Sequence, residues 1–160
     1  MKRIIPILFI SLAFALAACE NMSDKSKFEG QWQLLEVAYS CGGDYDSTVN
    51  VKSARVYFRF QSTLGQIRPG SFSTEEMGGN INMHFRCTSK RLKLYDFYAY
   101  NYESALDGKH DWDTAITDSS STLLQPFGID GIYADFCIEK LTGSDMVLRS
   151  DYARLTFRRF

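Results

Sequence analysis

A run of aromatic side chains at residues 92–102 (LKLYDFYAYNY) is the segment whose spacing comes closest to a binding site. Alternate residues of an extended strand point to the same face, and Leu92 and Leu94 define the apolar one. If the alternation continues beyond Leu94, four side chains that end in polar groups also point inward: Asp96, Tyr98, Tyr100 and Tyr102. Phenols suit a ligand cavity better than a packed core, where each polar atom needs a partner. A bulge in the strand would instead turn the tyrosines outward, and the sequence does not choose between the two.

Apolar residues at the same spacing on other segments predict further walls for such a cavity. Every second residue is apolar in residues 54–61 (ARVYFRFQ) and again in residues 81–87 (INMHFRC). A filled core would use the same residue types, so each wall alone is weak evidence. The predicted apolar lining is Phe58, Phe60, Met83, Phe85, Leu94, Phe136 and Leu148.

Residue types that support catalysis or metal binding are few. His84 alternates with apolar residues and is predicted to face solvent, while His110 lies in residues 107–113 (DGKHDWD). Calcium takes six to eight oxygen ligands, and this stretch lacks the spacing and terminal Glu of an EF-hand, so we expect a solvated loop. No G-x-S-x-G and no phosphate-cradling Gly-rich loop occurs in the sequence. We therefore expect no enzymatic activity, no metal and no cofactor.

Short alternating segments separated by turn-rich stretches supply the elements that would position these residues, while long helical periodicity is scarce. Such strands hide their apolar faces by curling into one closed sheet, since few helices are available to cover them. We predict an all-β domain, an up-and-down antiparallel β-barrel of about eight strands, with an eight-strand sandwich as the alternative. Eight strands enclose an interior that is filled by side chains or holds one small ligand. The predicted strands are 31–39, 54–61, 64–68, 81–87, 91–102, 133–140, 146–149 and 154–159.

The chain begins with an apolar leader that ends at a cysteine. Lys2 and Arg3 precede the almost wholly apolar residues 4–18, a run too short for a bilayer span of about 20 residues but typical of a secretory signal. Leu16-Ala17-Ala18-Cys19 resembles the lipobox of bacterial lipoproteins, in which the cysteine is lipidated and becomes the N-terminus. A plain signal peptide with a chance cysteine is the alternative. Several acyl chains, at about 0.8 kcal/mol per buried methylene, would anchor Cys19 firmly to a membrane.

Cleavage before Cys19 divides the 160-residue chain into three parts. Residues 1–18 are the predicted signal peptide, residues 19–27 a lipidated tether, and residues 28–160 the barrel domain. The mature chain of 142 residues keeps 16 basic and 19 acidic side chains, a formal charge of −3. A faintly acidic domain without a basic run has no electrostatic footprint for nucleic acid, and we expect a monomer that binds none.

Three further cysteines, Cys41, Cys87 and Cys137, lie in a compartment that permits disulfides. None belongs to a C-x-x-C pair or to another spacing typical of a metal site. We expect either one disulfide and one remaining thiol or three thiols. Three pairings are compatible with the sequence.

The two ends of the barrel domain carry the features on which a family resemblance rests. Gly30-Gln31-Trp32 forms a G-x-W at the start of the first strand, and the last strand, residues 153–160 (ARLTFRRF), is basic. With the lipobox and the closing meander, these features resemble the lipocalin-like (calycin) lipoproteins of Gram-negative bacteria. The resemblance implies that Trp32 plugs the barrel base, with Gly30 beside it and Arg159 packed across the indole, Arg158 being the second choice. A second lipocalin motif has no clear counterpart here, which sets the chain apart from the main branch of that family.

Two classes of function are compatible with these features. The first is a membrane-anchored protein that binds a small apolar or amphipathic ligand in its barrel, as the resemblance implies. The second is a non-enzymatic interaction module whose packed barrel displays loops to a protein or glycan. A tyrosine-lined cavity favours the first, and a dry interior with an aromatic outer surface favours the second. Glu20, in place of the aspartate associated with inner-membrane retention, favours a lipid anchor in the outer membrane of the cell envelope.

Overall fold

The structure, a computed structural model, describes residues 26–41, 43–75, 77, 79–100 and 113–160. These residues form ten β-strands. The predictions for Cys19, Tyr102 and His110 lie outside these residues. The strands are β1 (Gly30–Cys41), β2 (Asp44–Asn50), β3 (Tyr57–Gln61), β4 (Leu64–Arg68), β5 (Ile81–Cys87), β6 (Arg91–Tyr100), β7 (Asp113–Ala115), β8 (Ala134–Leu141), β9 (Asp145–Arg149) and β10 (Ala153–Arg159).

Eight of these strands close into a barrel, and the predicted fold class is confirmed. The sheet runs in the order β10, β9, β8, β6, β5, β4, β3 and β1, and β1 then pairs with β10 to close it. All of these pairings are antiparallel. The alternative of two stacked sheets is excluded by the pairing of Trp32 with Arg159 and of Tyr39 with Ala153 along the closing seam.

The other two strands, β2 and β7, pair with the parts of β1 and β6 that β3 and β8 do not cover. β1 pairs with β3 through Gln33 and then with β2 from Glu36 onward. β6 likewise pairs with β8 at residues 91–94 and with β7 at residues 98–100. Neither β2 nor β7 is among the eight strands predicted from the sequence, because both are polar and lack the apolar alternation of the barrel strands.

The described residues include three short 3-10 turns, Lys52–Ala54, Gly70–Phe72 and Gln125–Phe127. The first packs against Gly70 beside the middle of β1, and the third accepts a hydrogen bond from Tyr39 near the end of β1. Leu124 and Phe127 are fully buried, and the ring of Phe127 lies 6.2 Å from that of Phe72. The apolar segment before β8 therefore docks on the barrel as a helical turn.

Two further observations concern the envelope predictions. No helix among the described residues is long and apolar enough to cross a membrane. Cys87 packs against the core, whereas Cys137 alternates with buried Phe136 and faces outward. A disulfide between these two is therefore excluded, because side chains on opposite faces of a sheet cannot meet. The side chain of Cys41 lies outside the described residues.

Candidate functional site

The seven apolar residues predicted to line a cavity all point into the barrel, and they fill it. Each is at most 2% exposed, so water does not reach them. The ring of Phe60 lies 4.3 Å from Phe28 and 5.1 Å from Phe85, and Phe58 lies 5.1 Å from Phe157. At these positions the interior is a packed core rather than an open cavity. The seven are Phe58, Phe60, Met83, Phe85, Leu94, Phe136 and Leu148.

A β-bulge in β6 overturns the predicted inward orientation of the polar residues. Asp96 has a φ of +53°, and Met83 of β5 lies opposite both Asp96 and Phe97, which adds one residue to β6. After the bulge, Phe97 and Ala99 are buried, while Tyr98 and Tyr100 are half-buried on the outer side. The predicted inward set of Asp96, Tyr98 and Tyr100 is therefore wrong.

The residue types of β6 explain why the bulge lies at Asp96. A single extra residue moves all later side chains to the other face. Aspartate tolerates the left-handed backbone better than most residues, because its short polar side chain bonds locally. The signal was present in the sequence, since Phe97 and Ala99 resume an apolar alternation out of phase with Leu92 and Leu94.

Tyr98 and Tyr100, which the bulge turns outward, join an aromatic and polar surface on β4–β6 that we call the tyrosine face. Its centre is Tyr95, whose ring stacks on His84 with a centroid distance of 5.9 Å and an interplanar angle of 28°. The guanidinium of Arg86 lies 5.9 Å from the Tyr95 centroid on the same surface, within range of a cation–π contact. The tyrosine face comprises Gln66, Asn82, His84, Arg86, Tyr95, Tyr98 and Tyr100.

Polar contacts order the tyrosine face. The amide of Gln66 donates to Oδ1 of Asn82 at 3.0 Å, directly across β4 and β5. Nδ1 of His84 lies 3.4 Å from a carboxylate oxygen of Asp96 without the alignment of a hydrogen bond. The Asp96 side chain is 58% exposed, so this pair lies in solvent and does not form a desolvated acid–base site. The surface offers rings and planar amides for contact rather than groups poised for proton transfer.

Ion pairs dominate the outer surface of β6 before the bulge. Nε of Arg91 donates to Oδ1 of Asp135 on β8 at 2.9 Å, and Nζ of Lys93 lies 3.6 Å from the other oxygen. The hydrogen bond from Arg91 holds the pKa of the Asp135 carboxyl below its usual range. The charged groups here are paired with one another.

At the base of the barrel, where β1 begins, Trp32 is fully buried and donates through Nε1 to the carbonyl of Phe28 at 2.8 Å. The guanidinium of Arg159 lies 5.3 Å from the indole centroid and donates to the carbonyls of Lys27 and Glu29. Gly30 has a φ of +126°, and a Cβ there would lie 2.9 Å from the Arg159 guanidinium.

These contacts link the two chain ends. The positive φ of Gly30 is a backbone conformation that residues with a side chain rarely adopt, so it favours glycine at this position. The structure thus places Gly30, Trp32 and Arg159 together at the closed end, where they contribute stability and offer no room for a ligand.

Metal binding finds no support in the described ranges. No group of three or more His, Cys, Asp or Glu side chains in these ranges is arranged to hold a metal ion.

A closed eight-stranded antiparallel barrel with an N-terminal tryptophan and a C-terminal arginine across its base defines a lipocalin-like class of protein. The family model for the lipocalin-like domain matches residues 14–160, and the chain belongs to that family. No curated protein of established function matches the sequence.

Two solved structures share the fold. A lipocalin-like protein from Bacteroides uniformis ATCC 8492 is 19% identical and matches with a TM-score of 0.55, covering 84% of this chain and 99% of its own. An uncharacterized protein from Bacteroides eggerthii DSM 20697 is 17% identical, with a TM-score of 0.52 and coverage of 82% and 98%. At this identity the likeness establishes the fold alone, so function has to be argued from the surfaces of this chain.

Proposed function

We propose that this protein is a lipid-anchored, non-enzymatic binding module of the cell envelope that contacts a partner protein through the tyrosine face. A lipocalin-like barrel is a scaffold suited to binding. The observation that carries the proposal is the bulge at Asp96. Beyond it, the apolar residues Phe97 and Ala99 point into the barrel, and Tyr98 and Tyr100 point outward.

Anchoring is proposed from the leader. The apolar run ending in Leu16-Ala17-Ala18-Cys19 supports lipidation of Cys19, and Glu20 supports sorting to the outer membrane. The domain then begins at Phe28, only a short tether from the lipid. Cys19→Ser should move the protein from the membrane fraction to the soluble fraction and abolish labelling by a radioactive fatty acid. Unchanged membrane recovery with unchanged labelling would contradict the anchor.

An interior site for a small apolar or amphipathic ligand is the competing proposal. Such a ligand would have to displace side chains that already contact one another, as Phe58 does with Phe157 and Phe60 with Phe85. Opening a space in a packed core costs several kcal/mol, roughly as much as large-to-small core substitutions do. The packed interior therefore supports recognition on the outside of the barrel.

A protein partner is favoured by the composition of the tyrosine face. Tyrosine and arginine are enriched in protein interfaces and among their strongest contributors, while Lys and Glu are depleted there. The face carries three tyrosines and Arg86, and the neighbouring Lys93, opposite Arg86, is engaged by Asp135 of β8. Its rings lie on strands of a closed barrel, so little conformational entropy is lost on binding.

Site-specific photocrosslinking in intact cells tests this proposal. A photoreactive phenylalanine analogue replaces Tyr98, and the matched control carries it at Phe160, an exposed aromatic residue that follows β10, three strands away from both β4 and β6. We expect a discrete protein adduct from position 98 that is absent from position 160. Tyr95→Ala should reduce the yield at position 98 at least fivefold, because it removes the ring at the centre of the face. Identical adducts from both positions, or none from position 98, would contradict the proposal.

A further inference from the structure

The outer surface of the barrel around β1 contains a two-lobed basic crevice that reaches from β10 to β4. Gln33 of β1 pairs with Arg158 of β10 on one side and with Tyr57 of β3 on the other, and Tyr57 pairs with Arg68 of β4. These four side chains form one outward row across neighbouring strands. Because strands lie about 4.8 Å apart, the row is roughly 14 Å long.

The pairing neighbour of β1 changes from β3 to β2 beside this row, and the 3-10 turn Lys52–Ala54 fills the gap between those two strands. We call this turn the lip of the crevice. The carbonyl of Lys52 in the lip accepts a hydrogen bond from the Gln33 amide at 3.0 Å. A Cβ at Gly70 would lie 1.9 Å from the carbonyl oxygen of Ala54, so Gly70 packs directly against the turn. Arg55, which ends the turn, has a φ of +56°, a conformation that surrounding contacts must hold in place.

The two lobes have the size of a small-molecule site. They are open surface depressions of about 450 and 460 Å³ that share Ser53, Arg55 and Tyr57. Small-ligand pockets span about 300 to 1,000 Å³. The floor is supported from below, because Gln33 is only 3% exposed and its Oε1 accepts from Nε of Arg158 at 2.9 Å.

Charge distinguishes this crevice from the rest of the outer wall. Four of its lining side chains are basic and none is acidic: Lys52, Arg55, Arg68 and Arg158.

Several other basic residues on the strands pair with carboxylates, whereas Arg59, Arg86 and Arg159 contact an amide, a ring and carbonyl groups. Arg91 pairs with Asp135, Arg149 and Arg154 with Glu139, and Lys140 with Asp145. Within the residues that the structure describes, the four crevice cations form no ion pair. An excess of cations on a domain with a net negative charge marks a site for an external anion.

We propose that this crevice binds the anionic oxygen group, a phosphate ester or a carboxylate, of a polar ligand. Guanidinium groups bind such oxygens in bidentate pairs, and three of the four cations are arginines. The ring of Tyr57, packed edge-on against Phe160 at 4.8 Å, supplies a flat wall beside them. The crevice is centred on β1, four strands from β6 in both directions around the barrel, and shares no residue with the tyrosine face, although Arg68 lies on β4. The site therefore does not depend on the proposed function of the tyrosine face.

Calorimetric titration of the full Cys19→Ser chain with inorganic pyrophosphate at low salt tests the site. The crevice variant combines Arg55→Asn, which keeps a residue tolerant of positive φ, with Arg68→Gln. The matched control combines Arg149→Gln with Arg154→Gln and removes the same charge elsewhere. We expect saturable binding that weakens at least tenfold in the crevice variant and less than twofold in the control, with unchanged thermal unfolding in both.

Phosphatidylglycerol vesicles identify the source of the anion. Binding to vesicles that pyrophosphate and the crevice variant both reduce indicates a lipid headgroup, whereas pyrophosphate binding without vesicle binding indicates a soluble ligand. Either result supports the site. Equal weakening in both double variants, or no saturable binding of either probe, would overturn it. Photocrosslinking at Tyr98 should be unaffected by the crevice variant, so failure of one proposal is distinguishable from failure of the other.

Discussion

The two longest strands, β1 and β6, lie on opposite sides of the barrel, and both change their pairing neighbour along their length. Each exchanges one neighbour halfway along its length, β3 for β2 and β8 for β7. Each also carries a bulge at the exchange, at Leu35 in β1 and at Asp96 in β6. A strand that changes partners has to twist away from the first, and a bulge provides that local twist.

The surfaces produced at the two exchanges nevertheless differ. At β1 the gap is filled by the turn Lys52–Ala54, which leaves a crevice lined by cations. At β6 the bulge aligns aromatic side chains on a continuous wall without such a lip. The backbone thus determines where each surface lies, and the outward side chains determine its chemistry.

The largest effect is expected at the closed end of β1. Trp32→Ala should lower the free energy of unfolding by about 3 to 5 kcal/mol, because a fully buried indole is lost together with its contact to Arg159. Urea denaturation measures this, with Tyr133→Ala as the exposed control, for which we expect a change within about 0.5 kcal/mol. A loss below about 1 kcal/mol for Trp32→Ala would mean that β1 is not held at its base.

The lip of the crevice should show the next largest effect. Gly70→Ala places a Cβ against the carbonyl of Ala54 and forces a left-handed backbone on alanine. We expect a loss of about 2 to 4 kcal/mol in unfolding free energy. Gly143→Ala is the matched control, since its Cβ would meet nothing within 4 Å. Equal stability of the two variants would show that the crevice lip is mobile rather than packed.

The bulge of β6 is tested by three substitutions at Asp96. Alanine should lower the unfolding free energy by about 1 kcal/mol, because it fits the left-handed conformation poorly. Glycine and asparagine tolerate that conformation and should stay within about 0.5 kcal/mol of the parent. If alanine were as stable as glycine and asparagine, the strand would be regular at this position, and the tyrosines would return to the inward face.

The smallest effect concerns the ion pair before that bulge. Arg91→Gln should raise the pKa of Asp135 toward its ordinary value, because the hydrogen bond from Arg91 is the main cause of its low pKa. A carboxyl whose pKa is lowered by folding stabilises the fold above its unfolded pKa, and this contribution is lost as the pH falls through the folded pKa. NMR titration of the Asp135 carboxyl carbon measures the shift. An unchanged pKa would mean that Arg91 and Asp135 do not pair in solution.

The contrast between β1 and β6 also shows what the sequence can and cannot predict. The alternation in residues 81–87 and 64–68 gave the bounds of β5 and β4 as the structure has them, because both strands have one apolar face and end at turns. The strand over residues 54–61 was predicted too long, since the left-handed Arg55 separates the 3-10 turn from β3. Backbone irregularities of this kind depend on tertiary contacts, here with Gly70, that no local pattern records.

The candidate sites were less predictable than the fold. Alternation identified all seven apolar residues of the interior but could not distinguish a lined cavity from a packed core, because both use the same side chains. At Asp96 one added residue reversed the orientation of Tyr98 and Tyr100. The crevice could not be predicted from the sequence, because Gln33, Arg68 and Arg158 are distant in sequence and come together only through strand pairing.

The central claim is that the barrel interior is packed and that recognition occurs on its outside. The most direct test is an NMR titration of the full Cys19→Ser chain, with labelled phenylalanine rings, against a medium-chain fatty acid below its micelle concentration. The account predicts no saturable shifts at Phe58, Phe60 and Phe136, which lie at the centre of the core. Saturable shifts confined to these three rings would show that the interior opens to admit a ligand, and would contradict the account.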